Sequence, residues 1–375
     1  MLRMFVTGDN HIGLKYASHE QSAVLASSRI NAFDGMVDIA NEESCDLFVI
    51  TGDLFENTYG ISKKEIRSLL DKLSRFRGTV AVLPGNHDYY DKDVKVWQYF
   101  KDVMADLDNI MLMTDYRPYS LTADGRDVIL YPALCTGLHS APGENNLGWI
   151  KTADFSDIEA YHIGVAHGAV EGETIDNEGQ YFLMKRSELE EIPVDAWLIG
   201  HTHVPFPRSL TENYTEGEKI FNAGTHVQTD VSCNTQGLCF IVEIDRDKSV
   251  RAKRVASGSL RFYRKSIHLS AGKMEQVLRR ELEDISDNSV VELILTGAVT
   301  ADEYEQRAEI TEALLSRFTE SSYNDYALSK LISKEIIQKE FSETSFSAGL
   351  LNALLDNPKE AQLTYELLKA LKEDK

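Results

Sequence analysis

Five short apolar runs in this chain each stop at a cluster of Asp, Asn or His, and that repeated pattern limits the fold more than any other property of the sequence. Met4-Phe5-Val6 leads to Asp9-Asn10-His11, Leu47-Phe48-Val49-Ile50 to Gly52-Asp53, and Val80-Ala81-Val82-Leu83 to Gly85-Asn86-His87-Asp88. Ile163-Gly164-Val165 leads to His167, and Trp197-Leu198-Ile199 to Gly200-His201-Thr202-His203. Short apolar runs separated by amphipathic stretches read as buried strands of a largely parallel α/β sheet. The polar clusters then share the crevice at the carboxyl ends of the strands, where open α/β sheets take their ligands.

The residue types narrow the chemistry. Asp9, His11, Asp53, Asn86, His167, His201 and His203 offer nitrogen and oxygen donors with no Cys among them, a set suited to borderline divalent metals such as manganese, iron or zinc. One bridging Asp lets seven protein ligands hold a pair of ions roughly 3.5–4 Å apart. Taken singly, most blocks have an ordinary explanation: Asp9 and Asp53 as helix caps, Asn86 as a turn residue, His167 as a satisfied core histidine. His201-Thr202-His203 resists this, because two imidazoles at the end of a buried strand cost desolvation unless something binds them. Five such blocks in order point to a two-metal hydrolase.

A chain of 375 residues has room for two domains, or for one large domain with an appendage. No run approaches 18 consecutive apolar residues, and the N-terminus enters its first strand at once, so a cytoplasmic location without membrane association is expected. Cys45, Cys135, Cys233 and Cys239 form no CxxC and read as reduced thiols. A formal charge of −21 is awkward for a DNA-binding protein, and residues 1–265 and 266–375 are each acidic. The run Arg246, Lys248, Arg251, Lys253, Arg254, Arg261, Arg264 and Lys265 is the one local basic segment, equally readable as solvated faces of an edge hairpin or as a DNA track.

Along the chain, residues 19–44, 61–77 and 93–106 have helical periodicity and supply the crossovers between strands. Residues 135–157 form a polar loop placed to overhang the crevice and to select substrate. Residues 219–221, 237–242 and 250–255 read as strands completing a second sheet. The expected architecture is therefore a two-sheet α/β sandwich flanked by helices, over residues 1–262. A compact βαβα module follows over 263–335, with strands at 264–269 and 289–295 and helices at 271–285 and 304–318. Residues 336–375 are helical: Leu350, Leu351, Leu354 and Leu355 make one apolar face. Asn357-Pro358 with Glu360 opens a last helix bearing Ala361, Tyr365, Leu368 and Leu371 on one stripe. That helical pair either docks on its own module or fills a partner's groove.

In order, spacing and flanking context, the five blocks resemble the calcineurin-like metallophosphoesterase superfamily, over roughly residues 1–245. The resemblance implies that Asp9, His11, Asp53 and His203 hold one metal, and that Asp53, Asn86, His167 and His201 hold the other. It implies that His87 is the catalytic residue that contacts the scissile phosphate and helps the leaving group. Such a metal pair would lower the pKa of a bridging water toward neutrality. More closely, Asp9-Asn10-His11-Ile12-Gly13, Gly52-Asp53-Leu54-Phe55 and Gly85-Asn86-His87-Asp88 resemble the DNA-repair exonuclease branch of SbcD type, with a YhaO-like acidic helical tail. That branch implies a capping domain at 263–335, DNA as substrate, two manganese ions, and an SbcC-type SMC-like ATPase bound through C-terminal helices. A homodimer is an open alternative. Two departures stand out: Glu56 occupies a place where many members carry His or Asp, and Asn234-Thr235-Gln236-Gly237 lacks an expected basic residue. Two other functions stay open: a phosphoesterase for a small phosphodiester or phosphomonoester, and a non-catalytic scaffold. The presence of every ligand weighs against the scaffold.

Overall fold

In the computed structural model the described residues are 1–375 apart from 175, 177, 208–216, 234 and 374–375, with the backbone alone at 358, 359, 372 and 373. Asn234 thus lies outside them. The chain forms two compact units, Met1–Phe262 and Tyr263–Lys375.

In the first unit, β1 (Leu2–Thr7), β2 (Leu47–Thr51), β3 (Thr79–Leu83) and β4 (Ile110–Leu112) run parallel. They are joined by α1 (Ser22–Glu42), α2 (Lys63–Leu73) and α3 (Lys95–Met104), close to where the helical periodicity places them. Ser62 starts α2 with a capping box: its Oγ accepts the Glu65 amide at 3.2 Å, and Glu65 Oε2 accepts the Ser62 amide at 2.8 Å. A second sheet holds β5 (Tyr119–Ala123), β6 (Arg126–Ala133), β7 (Tyr161–His167), β8 (Ala196–Gly200) and β9 (Ile220–Phe221), with the short helix α4 (Arg186–Glu191) before β8.

Two expected strands change sheets. β10 (Leu238–Ile244) and β11 (Val250–Ala256) do not complete the second sheet; β10 pairs antiparallel with β1, and the first sheet reads β11-β10-β1-β2-β3-β4. Val6 opposite Phe240 and Met4 opposite Val242 show why. Pairing with β10 buries both edges of β1 and extends one apolar face.

That face packs on the second sheet. Met4, Val6, Val49, Ala81 and Val242 from one side meet Leu130, Ile163, Val165 and Leu198 from the other in one buried cluster. The outer face of the first sheet is covered by Phe33, Leu70, Trp97 and their neighbours from α1–α3. The result is an α/β two-sheet sandwich flanked by helices, with strands β1, β2 and β3 of one sheet and β7 and β8 of the other ending at the same rim.

The second unit begins with β12 (Arg261–Ser270), α5 (Met274–Leu282), β13 (Ser289–Val299), α6 (Ala301–Glu305) and α7 (Arg307–Leu315). A third strand, β14 (Glu320–Lys330), lies parallel to β13 and was not expected from the sequence. Its residues ESSYNDYALSK lack an apolar run because it is a sheet edge.

The tail folds as α8 (Lys334–Glu340), α9 (Phe346–Leu354) and α10 (Pro358–Glu373) around Ile337, Phe341, Leu351, Ala361 and Tyr365. Part of the stripe expected to face a partner is therefore interior: Leu354, Leu355 and Leu368 pack on this cluster. Leu371 of the expected stripe is exposed (65%), and Leu363 (59%) and Leu367 (58%) are exposed with it.

Candidate metal centre

The first unit delivers the seven expected side chains to one place. Asp9 and His11 follow β1, Asp53 follows β2, Asn86 and His87 follow β3, His167 ends β7, and His201 and His203 follow β8. The turns that carry them are tight: Asp9, His11, Asp53, His201 and His203 all have positive φ, between 45° and 112°. Each such non-glycine residue costs on the order of 1–3 kcal/mol, so the surroundings must hold these turns in place. Main-chain bonds do part of this, with Asp9 N donating to Gly52 O at 3.1 Å and His11 N to Asp53 O at 2.9 Å.

Within the site, Asp9, His11 and His203 form one group whose donor atoms lie within 4.8 Å of one another, and Asp53, His167 and His201 form another. His11 Nε2 and His203 Nε2 are 2.9 Å apart. Asp53 joins the groups, its Oδ2 lying 3.2 Å from His167 Nε2 and 3.7 Å from His11 Nε2. Asn86 Oδ1 faces both His167 Nε2 at 3.0 Å and His201 Nδ1 at 3.2 Å. Its amide nitrogen donates outward to the Leu138 carbonyl at 3.0 Å, which fixes that orientation. Leu138 belongs to the 135–157 loop expected to overhang the crevice.

Second contacts set the tautomers. His167 Nδ1 donates to the Thr51 carbonyl at 2.9 Å, which turns Nε2 inward toward Asp53 and Asn86, where it can ligate once it gives up its proton. His87 Nδ1 donates to the Glu56 carbonyl at 3.0 Å, so its Nε2 is the free ring nitrogen. The His87 amide donates to Asp53 Oδ1 at 2.9 Å. The Glu56 carboxylate reaches His11 Nδ1 at 2.9 Å, but out of line, so that buried nitrogen has no aligned hydrogen bond. Asp88, quoted in the sequence block without a role, is a staple: its carboxylate accepts the amides of Gly85 and Phe55 at 2.6 and 2.9 Å.

The electrostatics favour a cation. Asp9 and Asp53 are buried carboxylates that face imidazoles and main-chain amides, and they act on each other. Burial pushes the Asp9 pKa up against the pull of His203 and His167. For Asp53, burial is outweighed by His167 and His11, and its pKa falls below the usual carboxylate range. Burial alone would lower the His167 pKa, yet the Asp53 charge raises it to about 9; His201, desolvated and beside His167, drops to about 3. Divalent ions would relieve both the crowded imidazoles and the buried carboxylates, and the nitrogen and oxygen donor set suits them.

The backbone is fitted as closely as the ligands. A Cβ at Gly85 would lie 2.1 Å from Asp53 Oδ1 and 2.3 Å from Asp53 N, and one at Gly52 (φ 102°) 2.2 Å from His167 Nδ1. Gly85→Ala, which alters no ligand, should therefore displace Asp53 and weaken metal binding by about 10–100-fold, the scale of second-layer substitutions. Metal titration of the variant checks this; wild-type affinity would show that the Asp53 turn has slack.

Three contributors were not found from sequence. Glu56 was noted only as a departure, and its contacts to His11 and His87 come from a turn geometry that periodicity does not reveal. Tyr181 stands with its ring 5.1 Å from that of His201. Arg29 sits beneath the Asp9–His11 turn; its one visible signal is an arginine on the buried face of α1, in line with Leu25 and Phe33.

Residues 2–205 match the calcineurin-like phosphoesterase family. The chain belongs to that family. All seven gathered side chains and His87 lie within the matched span. Solved structures similar to this phosphoesterase include TT1561 of Thermus thermophilus, at 11% identity and TM-score 0.41, covering 67% of this chain and 97% of that one. A dimetal phosphatase from Danio rerio is 10% identical at TM-score 0.38, covering 68% and 99%. The purple acid phosphatase PPD1 of yellow lupin is 13% identical at TM-score 0.33, covering 59% and 43%. The phosphoesterase is thus a metal-dependent hydrolase by family, with clustered His and carboxylate donors to match. Among its described residues, no helix is long and apolar enough to cross a membrane.

Proposed function

We propose that the phosphoesterase is a two-metal phosphodiesterase acting as a DNA exonuclease or endonuclease, the nuclease subunit of a complex with an SbcC-type SMC-like ATPase. The observation that carries the phosphodiesterase reading is the convergence of two His and carboxylate groups, joined by Asp53, beside a His87 whose Nε2 is left free. Asp9, His11, Asp53 and His203 would hold one ion, and Asp53, Asn86, His167 and His201 the second. When bound, such a pair supplies Lewis-acid polarisation of phosphoryl oxygens and an acidified water.

The chain's own residues do the rest. When the ring is doubly protonated, His87, oriented by the Nδ1 bond to the Glu56 carbonyl, hydrogen-bonds a phosphoryl oxygen through Nε2–H and gives that proton to the leaving oxygen as the P–O bond breaks. Asp53 orients His87 as well, through the amide bond to its Oδ1. Asn86, turned inward by Leu138, contributes a neutral oxygen and limits the negative charge facing the phosphate.

The DNA reading is supported by the SbcD-type wording of the Asp9, Asp53 and Asn86 blocks. The basic run does not add to it, because it is spent on acidic neighbours: Lys248 on Asp195, Lys253 on Glu43, Arg264 on Glu292 and Arg251 on Asp245, at 2.6–3.0 Å. That same pairing, with a net charge of −21, favours a second reading, a small phosphoester substrate.

One assay separates the two readings and tests metal choice. Chelator-stripped protein supplied with manganese should degrade blunt duplex or plasmid DNA, and magnesium should restore far less, because magnesium prefers oxygen ligands and keeps its waters. Hydrolysis confined to a chromogenic diester would favour the small-substrate reading. Full restoration by magnesium alone would count against the manganese assignment.

A further inference from the structure

Arg29 is fully buried in the middle of α1 and, among the described residues, has no carboxylate within ion-pair distance. A buried guanidinium is costly unless its donors are used, and here they are spent on main-chain carbonyls and two hydroxyls. Nε and Nη2 both donate to the Asn10 carbonyl, at 2.8 and 2.7 Å, as a fork on one oxygen. Nη2 also lies 3.5 Å from the Asp9 carbonyl and 3.3 Å from Thr225 Oγ1, and Nη1 lies 3.3 Å from the Tyr16 hydroxyl. Thr225 Oγ1 in turn lies 3.0 Å from the Asp9 carbonyl.

The Asp9–His11 turn is therefore gripped from two sides. Its amides point to the loop after β2, through Asp9 N to Gly52 O and His11 N to Asp53 O, while its carbonyls point to Arg29 and Thr225. Between those anchors the backbone holds two left-handed residues, Asp9 at φ 49° and His11 at φ 45°. Without the carbonyl anchors, relaxation of either residue to negative φ would swing its side chain away from His203.

We propose that Arg29 is a positioning residue for one half of the metal centre: with Thr225 it locks the Asp9–His11 turn and so sets the affinity of the ion held by Asp9, His11 and His203. The inference rests on the two-metal reading above. None of the Arg29 donors reaches Asn86, His167 or His201, so the other ion should depend on it little.

The test is metal titration of the full chain with manganese, followed by calorimetry and by the paramagnetic spectrum of the bound ions. Arg29→Lys keeps the charge and removes the fork. It should weaken one ion by about 10–100-fold and the other by less than about threefold, so that at one equivalent per site the spectrum of a coupled pair gives way to that of an isolated ion. Thr225→Val, which removes only the hydroxyl, should move the same ion in the same direction by about tenfold, and it decides the matter if Arg29→Lys does not fold. Two ions bound with unchanged affinity in the folded variants, or both weakened equally, would overturn the proposal. Wild-type protein that binds a single ion would instead overturn the two-metal reading on which it rests.

Discussion

Asp53→Ala is expected to empty the centre, whereas His87→Ala is expected to leave it filled and stop turnover. Asp53 lies within reach of both histidine groups, 3.2 Å from His167 Nε2 and 3.7 Å from His11 Nε2, and it also anchors the His87 amide. Removing it takes away the shared ligand, so metal content and hydrolysis should fall together. His87 is grouped with His11 and Glu56 rather than with Asp53, His167 and His201, and its Nδ1 is held by the Glu56 carbonyl. His87→Ala should bind manganese as the unaltered protein does while its turnover drops by about 10²–10⁴-fold, the range of a lost acid or base. Elemental analysis beside a diester assay measures both. A His87→Ala protein with full turnover, or an Asp53→Ala protein that keeps two ions, would end these assignments.

The second large effect concerns the tail. The exposed stripe Leu363, Leu367 and Leu371 is spaced one turn apart along α10 and is not part of the tail's own apolar cluster. If an SMC-like ATPase docks there, burying the three side chains contributes about 1.5–3 kcal/mol each. Changing all three to Glu should then lower the affinity by upwards of about a thousandfold, and co-purification should vanish. The melting temperature should barely move, since exposed substitutions stay within about 0.5 kcal/mol. Leu351→Ala makes the contrast: buried at 0%, it should cost about 2–5 kcal/mol and loosen the tail. Retention of the ATPase by the triple variant would move the interface elsewhere.

The parts of this molecule written in short-range chemistry were readable in advance. A buried strand must be apolar and must stop at a polar turn, so the five blocks announced both their strands and their shared rim. Helices α1–α3 followed from period and length. What the sequence left open was long-range or phase-dependent. An apolar strand such as Leu238–Ile244 carries no mark of which sheet it will join; the choice came from pairing with β1. β14 was hidden because an edge strand does not need an apolar run. The α10 stripe drifted: from Ala361 to Leu371 is ten residues, which at 100° per residue leaves Leu371 about 80° off the Ala361 face. Tyr365 and Leu368 stay with Ala361 in the cluster, and Leu371 turns to solvent. Arg29 was legible as an odd residue on an apolar face, but its carbonyl partners were not.

That β1 is hemmed by β2 on one side and by β10 on the other has a consequence for how the chain acquires its chemistry during synthesis. Because residues 2–6 pair with residues 240–244, β1 is enclosed on both edges only after β10 has been made. The same delay applies to its ligands: the Asp9 carboxylate accepts the His201 amide across a sequence separation of 192 residues. A nascent chain therefore carries Asp9, His11 and Asp53 without partner histidines until the second sheet's His167, His201 and His203 have been made, and such half-sites bind divalent ions weakly. Full metal affinity is thus expected only after assembly, with the closure of the most non-local contacts in the unit, the slow class in folding. A centre built this way is expected to be complete only when the whole sandwich has formed.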